Sequence, residues 1–266
     1  MTDQTLVHYD VQDGVCLLTL DDPPANTYTY AMMQQLDACI LRARMDEDAH
    51  VIVLTGKGEK FFSAGASIQM LNEVTPTFKY FFCLHANETL NRLEHTPKLT
   101  IGALNGHTVG GGLEIAMACD LRVARAGGSR VGLPEINLGV LPGTGGTQRL
   151  ARLVGKSRSI EMMTTGQLFG FAEALDHGII NRVIEADSGE DFMAKVLDFA
   201  GRFTPPTKAS KAVGLIKRSV QTGAEIPFET GLAVERELQQ QLFQSEDAAE
   251  GIAAYVEKRR ANFRGR

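Results

Sequence analysis

Short apolar runs, each stopped by proline or glycine, alternate with helical patterns along most of this chain. VCLLTLDD, HVIVLTGKG and LTIGALNG are such runs, and their length and β-rich composition read as buried strands. Between the first two, TYAMMQQLDACILRARMD carries Met32, Met33, Leu36, Cys39 and Ile40 at helical spacing. SAGASIQMLNEV begins loose and turns helical, and FKYFFCLHANETLNRLEHT stays helical until Pro97. DLRVARAG and SRVGLP are short extended pieces, and GTGGTQRLARLVG opens a further helix. Strands separated by helices predict the α/β class for the first two hundred residues. Past FTPPTK the pattern changes to long amphipathic helices without a strand, in KASKAVGLIKRSV, FETGLAVERELQQQLFQ and EDAAEGIAAYVEKRRANF. The expected division is a core over 1–200 that holds the site and a helical C-terminal region over 201–266. No internal repeat or low-complexity segment stands out.

Composition excludes several function classes. With 27 basic and 32 acidic residues the net charge is −5, which argues against a nucleic-acid surface despite the basic tail EKRRANFRGR. Cys16, Cys39, Cys83 and Cys119 have no CxxC or metal-ligand spacing, and the six histidines include no HExxH, so no metal site is expected. MTDQTLVHYD lacks the basic and apolar segments of a secretory leader. No apolar run approaches the roughly 18 residues of a membrane span. A soluble, cytoplasmic protein with no membrane partner is expected.

GHTVGGGLEIAMACD, residues 106–120, places three glycines before a glutamate and an apolar helical run. Glycines at a helix start let another group approach amides that have no intrahelical partner. Neither this stretch nor GKGEKFFSAG nor GTGGTQRL fits a phosphate-binding loop. A second loose helix start, FSAGASIQML, offers another free amide, and two such amides on one oxygen make an oxyanion hole. Glu114 in LEIAMACD and Glu135 in VGLPEINLGV both have apolar neighbours that raise a carboxyl pKa. A pair of this kind suits acid–base work beside a carbonyl, although each glutamate also makes sense as a helix-end residue. His107 lacks a nucleophile in any recognisable motif and reads as structural.

FSAGASIQML, NGHTVGGGLEIAMACDLRVA, VGLPEINLGVLPGTGGTQRL and EKRRANFRGR together resemble the enoyl-CoA hydratase/isomerase (crotonase) superfamily, from about Val11 to Arg266. The resemblance implies a crotonase-like spiral core of ββα turns with a C-terminal helical trimerisation region, assembled as a trimer or a dimer of trimers. It implies an acyl-CoA substrate, with CoA as acyl carrier and no other cofactor. Amides at Ala66 and Gly111 would bind the thioester oxygen, Glu114 would activate water, and Glu135 would exchange a proton with Cα. Ala64, Ser67, Ile68, Gly110, Leu133 and Pro134 would contact substrate, and Lys258 and Phe263 would approach the CoA phosphates and adenine. Ser67 stands where hydratases usually carry an aspartate. The 21-residue step from Glu114 to Glu135 is one longer than the family pattern, with RAGGSRVG as the expected surface insertion. Both glutamates are present, so hydration of a 2-enoyl thioester leads. A Δ3,Δ2-enoyl-CoA isomerase or other enolate-forming member follows, and a non-catalytic CoA- or RNA-binding trimer is the reading from another class.

Overall fold

A computed structural model describes residues 4–266; the first three residues of the stretch read above for a leader lie outside them. The chain opens with a hairpin, β1 (Val7–Gln12) and β2 (Val15–Leu20), and α1 (Tyr30–Met45) leads to β3 (Val51–Gly56). Next come β4 (Phe61–Ser63), α2 (Ile68–Glu73) and α3 (Pro76–Glu94). They are followed by β5 (Leu99–Leu104), β6 (His107–Val109) and α4 (Gly111–Met117). A third passage runs through β7 (Leu121–Arg125), β8 (Arg130–Gly132), a 3-10 turn at Glu135–Leu138, α5 (Gly146–Val154) and α6 (Lys156–Thr165). β9 (Phe169–Gly170), α7 (Phe171–Asp176), β10 (Arg182–Ile184) and α8 (Gly189–Gly201) complete the α/β part. α9 (Ser210–Ala224), α10 (Phe228–Phe243) and α11 (Glu246–Glu257) end the chain.

A six-stranded sheet runs in the order β1-β2-β3-β5-β7-β10, parallel throughout except for the opening hairpin. A smaller sheet runs β4-β6-β8-β9. β3, β5 and β7 in the large sheet are each followed directly by β4, β6 or β8 in the small one, and then by helix. That is a repeated ββα turn, each turn stacked on the last.

Side-chain alternation explains why β3 is apolar throughout. Ile52 and Leu54 enter the main core with Met32, Met33, Leu36 and Ile40 of α1, whereas Val51 and Val53 enter a second core under Phe192, Val196 and Ala200 of α8. Polar side chains pin the ends of the turns. Asn105 donates from Nδ2 to the Gly56 and Gly58 carbonyls, at 2.9 and 2.8 Å, and its Oδ1 accepts from Gly56 N–H at 3.1 Å. Asn26 likewise donates to the Lys57 and Phe61 carbonyls.

The strands at β2, β3, β5, β7 and β8 follow the sequence reading. α4 begins within the glycine triplet, at Gly111, and α3 ends at Glu94 rather than at Pro97. β1, β4, β6, β9 and β10 went unread, and the last four have only two or three residues each.

Candidate active site

Two loops are laced together beside β4. Ala64 N–H donates to the Ala25 carbonyl (3.0 Å), Tyr28 N–H to the Gly65 carbonyl (2.9 Å) and Ser67 N–H to the Tyr28 carbonyl (3.0 Å). The Ser63 hydroxyl donates to the Asn26 carbonyl (2.7 Å) and accepts from Gly65 N–H (3.1 Å). Tyr28 and Ala66 are therefore bridged in parallel through the residues flanking Ala66. The N–H of Ala66 itself points away from Tyr28 and has no protein acceptor among the described residues.

Gly111 begins α4, where an amide has no intrahelical acceptor. Gly65, at φ +90°, brings the laced loop against it: a Cβ there would stand 2.8 Å from Gly111 N. Only glycine both adopts that torsion and leaves the amide open. The three glycines of the triplet also meet close neighbours. A Cβ on Gly110 (φ +58°) would stand 3.2 Å from Glu135 Oε1, one on Gly111 would overlap the Tyr28 hydroxyl, and one on Gly112 would overlap the Ser63 carbonyl. The GGG sequence thus brings a tyrosine, a carboxylate and a neighbouring loop up to one helix start.

Glu114, in the first turn of α4, is 2% exposed. Its Oε1 accepts from Thr144 N–H (2.6 Å) and Gly146 N–H (2.8 Å), which holds the carboxylate at the start of α5. Oε2 has no protein partner among the described residues. Burial raises the pKa of this carboxyl, and the two amides oppose the rise. Thr144 also meets Tyr28, hydroxyl to hydroxyl at 2.9 Å. Glu135 begins the 3-10 turn that Gly139 closes in the left-handed region. Burial first, and the Glu114 charge second, push its carboxyl up to about 7. Its Oε2 is buried without a hydrogen-bond partner among the described residues.

One cavity of about 700 Å³ joins these groups. Glu114, Glu135, Ala66 and Gly111 all line it, as do Ala64, Ile68, Gly110 and Pro134 among the expected contact residues. The others lie elsewhere. The Ser67 hydroxyl caps α2, accepting from Met70 N–H at 3.3 Å. Leu133 is buried in the main core. Lys258 is the exposed C-cap of α11, and Phe263 lies beside Gly251 with its N–H on the Pro206 carbonyl, so neither lines the cavity of its own chain. His107 accepts Arg130 N–H on Nδ1 at 3.0 Å, tying β6 to β8. Gly127 and Gly128 of RAGGSRVG are exposed with open space around them.

Tyr28, Thr144 and Lys79 line the cavity although sequence reasoning did not single them out. GTGG, which contains Thr144, was visible as a helix start, but nothing in its spacing announced that it would hold Glu114.

The family model for enoyl-CoA hydratase/isomerase matches residues 10–266. A probable enoyl-CoA hydratase of Bacillus subtilis is 36% identical over 259 residues, covering 96% of this chain and 97% of its own. A short-chain-enoyl-CoA hydratase of Clostridium acetobutylicum is 36% identical over 247 residues, 92% of each chain. The crystal structure of an enoyl-CoA hydratase from Geobacillus kaustophilus superposes with a TM-score of 0.94 at 41% identity, covering 100% of this chain and 98% of that one. With a fold and a sequence that both match along nearly the whole chain, the chain belongs to the enoyl-CoA hydratase/isomerase family.

Proposed function

We propose that this enoyl-CoA hydratase works with two carboxylates and two backbone amides set around one cavity. The enzyme adds water reversibly across the α,β double bond of a 2-enoyl-CoA thioester. The thioester oxygen sits on the amides of Ala66 and Gly111, whose N–H groups lack protein acceptors among the described residues. Glu114, held by Oε1, presents Oε2 to a water molecule and takes its proton as the water oxygen bonds to Cβ. The π electrons move onto the thioester oxygen, where preorganised donors stabilise the enolate. Glu135 then gives its proton to Cα, and the carbonyl re-forms. One proton has left Glu135 and one has reached Glu114, so exchange with solvent resets the pair. Below about pH 7 Glu135 holds the proton that hydration requires. CoA is the carrier of the substrate, and no step above uses a further cofactor.

The observation that carries this reading is that both glutamates and both free amides line the same cavity. Crotonyl-CoA hydration tests it. Glu114→Gln keeps shape and hydrogen bonding but removes the base, so the rate should fall roughly 10²–10⁴-fold while thioester binding survives. Glu135→Gln should lose hydration as well. A Glu114→Gln enzyme that keeps strong activity on 3-enoyl thioesters, abolished by Glu135→Gln, would make the protein an isomerase instead.

The same reading includes a homotrimer or a dimer of trimers, with residues 201–266 as the assembly region. Its support is the exposed apolar residues of the last three helices, among them Ile216, Val220, Phe228, Ile252 and Tyr255.

A further inference from the structure

We propose that the acyl end of the cavity receives a chain ending in a carboxylate, with Lys79 as its counter-ion. The proposal rests on the hydratase reading above and adds a substrate class to it. Besides the two glutamates, Lys79 is the only charged side chain lining the cavity among the described residues. It is partly buried, yet its ammonium makes no hydrogen bond or ion pair with any described residue. Lys79 is also the fourth residue of α3, whose first turn has no acidic residue. A helix start disfavours a cation, so the positive potential of the helix end and the lysine add rather than cancel. An unpaired cation at that place is stabilised by an incoming anion.

Lys79 lines the same cavity as both glutamates, and packed side chains link it to them. With the thioester oxygen on Ala66 and Gly111, as proposed, Cα and Cβ would lie between Glu135 and Glu114, and the rest of the acyl group would continue past Glu114 toward Lys79. Glu114 is held by Thr144, Thr144 meets Tyr28, and the Tyr28 ring lies 5.9 Å from that of Phe82. The Lys79 ammonium stands over the Phe82 ring, 5.2 Å from its centroid. Its positive charge opposes the rise in both carboxyls, so it stands within electrostatic reach of the reacting centre. Asn72 and Thr75 line the same stretch, and the Thr75 hydroxyl, which accepts from Phe78 N–H, keeps its own proton free to donate.

The test compares 2-enoyl-CoA thioesters of increasing length, each with a terminal methyl or a terminal carboxylate. The wild type should prefer the carboxylate form at one or more lengths. Lys79→Met should lower that preference, the ratio of the two kcat/KM values, by roughly 10- to 100-fold, mainly through KM, as expected for loss of a charged hydrogen-bond donor. Lys79→Arg should keep most of it, and Lys79→Glu should invert it. A wild type that hydrates crotonyl-CoA but prefers the methyl form at every length would overturn this proposal and leave the hydratase reading intact. A Lys79→Met enzyme that loses the same factor on both forms would also overturn it, assigning Lys79 to the glutamate pair or to the CoA phosphates. If the wild type hydrates no thioester, both readings fall.

Discussion

Glu135 Oε2 is buried with no hydrogen-bond partner among the described residues, and burial together with the nearby Glu114 charge brings the carboxyl to about 7 from an ordinary 4.5. A folded chain that holds this proton more tightly than the unfolded chain is stabilised by it at low pH and loses that stabilisation as pH rises. The loss begins near the unfolded value of 4.5 and is complete above about 7. Glu135→Gln removes the ionisation altogether. Relative to wild type, the variant should therefore gain stability between about pH 4.5 and 7, reaching roughly 1–3 kcal/mol and staying level above that range. Urea unfolding at pH 5 and pH 8 measures this, and an equal difference at both would mean that Glu135 ionises normally. Burial raises the Glu114 carboxyl too, but there two amides oppose the rise. Both glutamates were legible as acids in apolar runs. That one would be held by Thr144 and the other left without a partner was not.

At the scale of elements, the start of α4 shows how tightly the small sheet is drawn against the site. Gly112 faces the Ser63 carbonyl of β4, so a methyl group there must move backbone rather than a side chain. Gly112→Ala should cost roughly 1–3 kcal/mol by overpacking and lower Tm by several degrees. Gly128→Ala, in an exposed loop with open space around it, should be near neutral. Equal melting temperatures for the two variants would mean that the contact between α4 and β4 is looser than described. β4 and β6 escaped sequence reading because three residues offer no period to detect and their partners in the sheet lie more than 20 residues away. The equally short β8 was marked as extended by the glycine and proline of SRVGLP. The long helices and the strands of the large sheet were legible because each carries its own periodicity.

For the whole molecule, α9 reverses the usual sidedness of a surface helix. Its inner edge packs Gly214 against the Pro97 carbonyl and buries Lys217 on Asp120 (2.8 Å) and the Lys98 carbonyl (3.0 Å), while Gln221 donates to Asp120 at 3.0 Å. Its outer edge exposes Ile216 and Val220, spaced one turn apart. α10 exposes Phe228 and Leu232, and α11 exposes Ile252, Tyr255 and Val256, at similar spacing. Apolar stripes of this kind mark an association surface. Sedimentation at micromolar concentration should give the mass of three or six chains. Ile216→Asp combined with Val220→Asp should reduce that mass without changing helix content. A monomeric wild type would contradict the assembly.

The sequence by itself determined the class of fold, the places where helices start loosely, and the two acids beside them, because each of these is a local pattern of residue types. It also carried the family, since four separate motifs occur in one order. It showed no internal repeat, yet β3-β4, β5-β6 and β7-β8 are successive turns of one spiral. What recurs is alternation and a turn, and many residue combinations satisfy those equally well. Only the tertiary structure decided that Gly65 would abut Gly111, that Tyr28 would fill the space left by a missing Cβ, and that Lys79 would line the same cavity as Glu114. These are contacts between segments dozens of residues apart. The packing of the whole core sets them, and no local propensity encodes that.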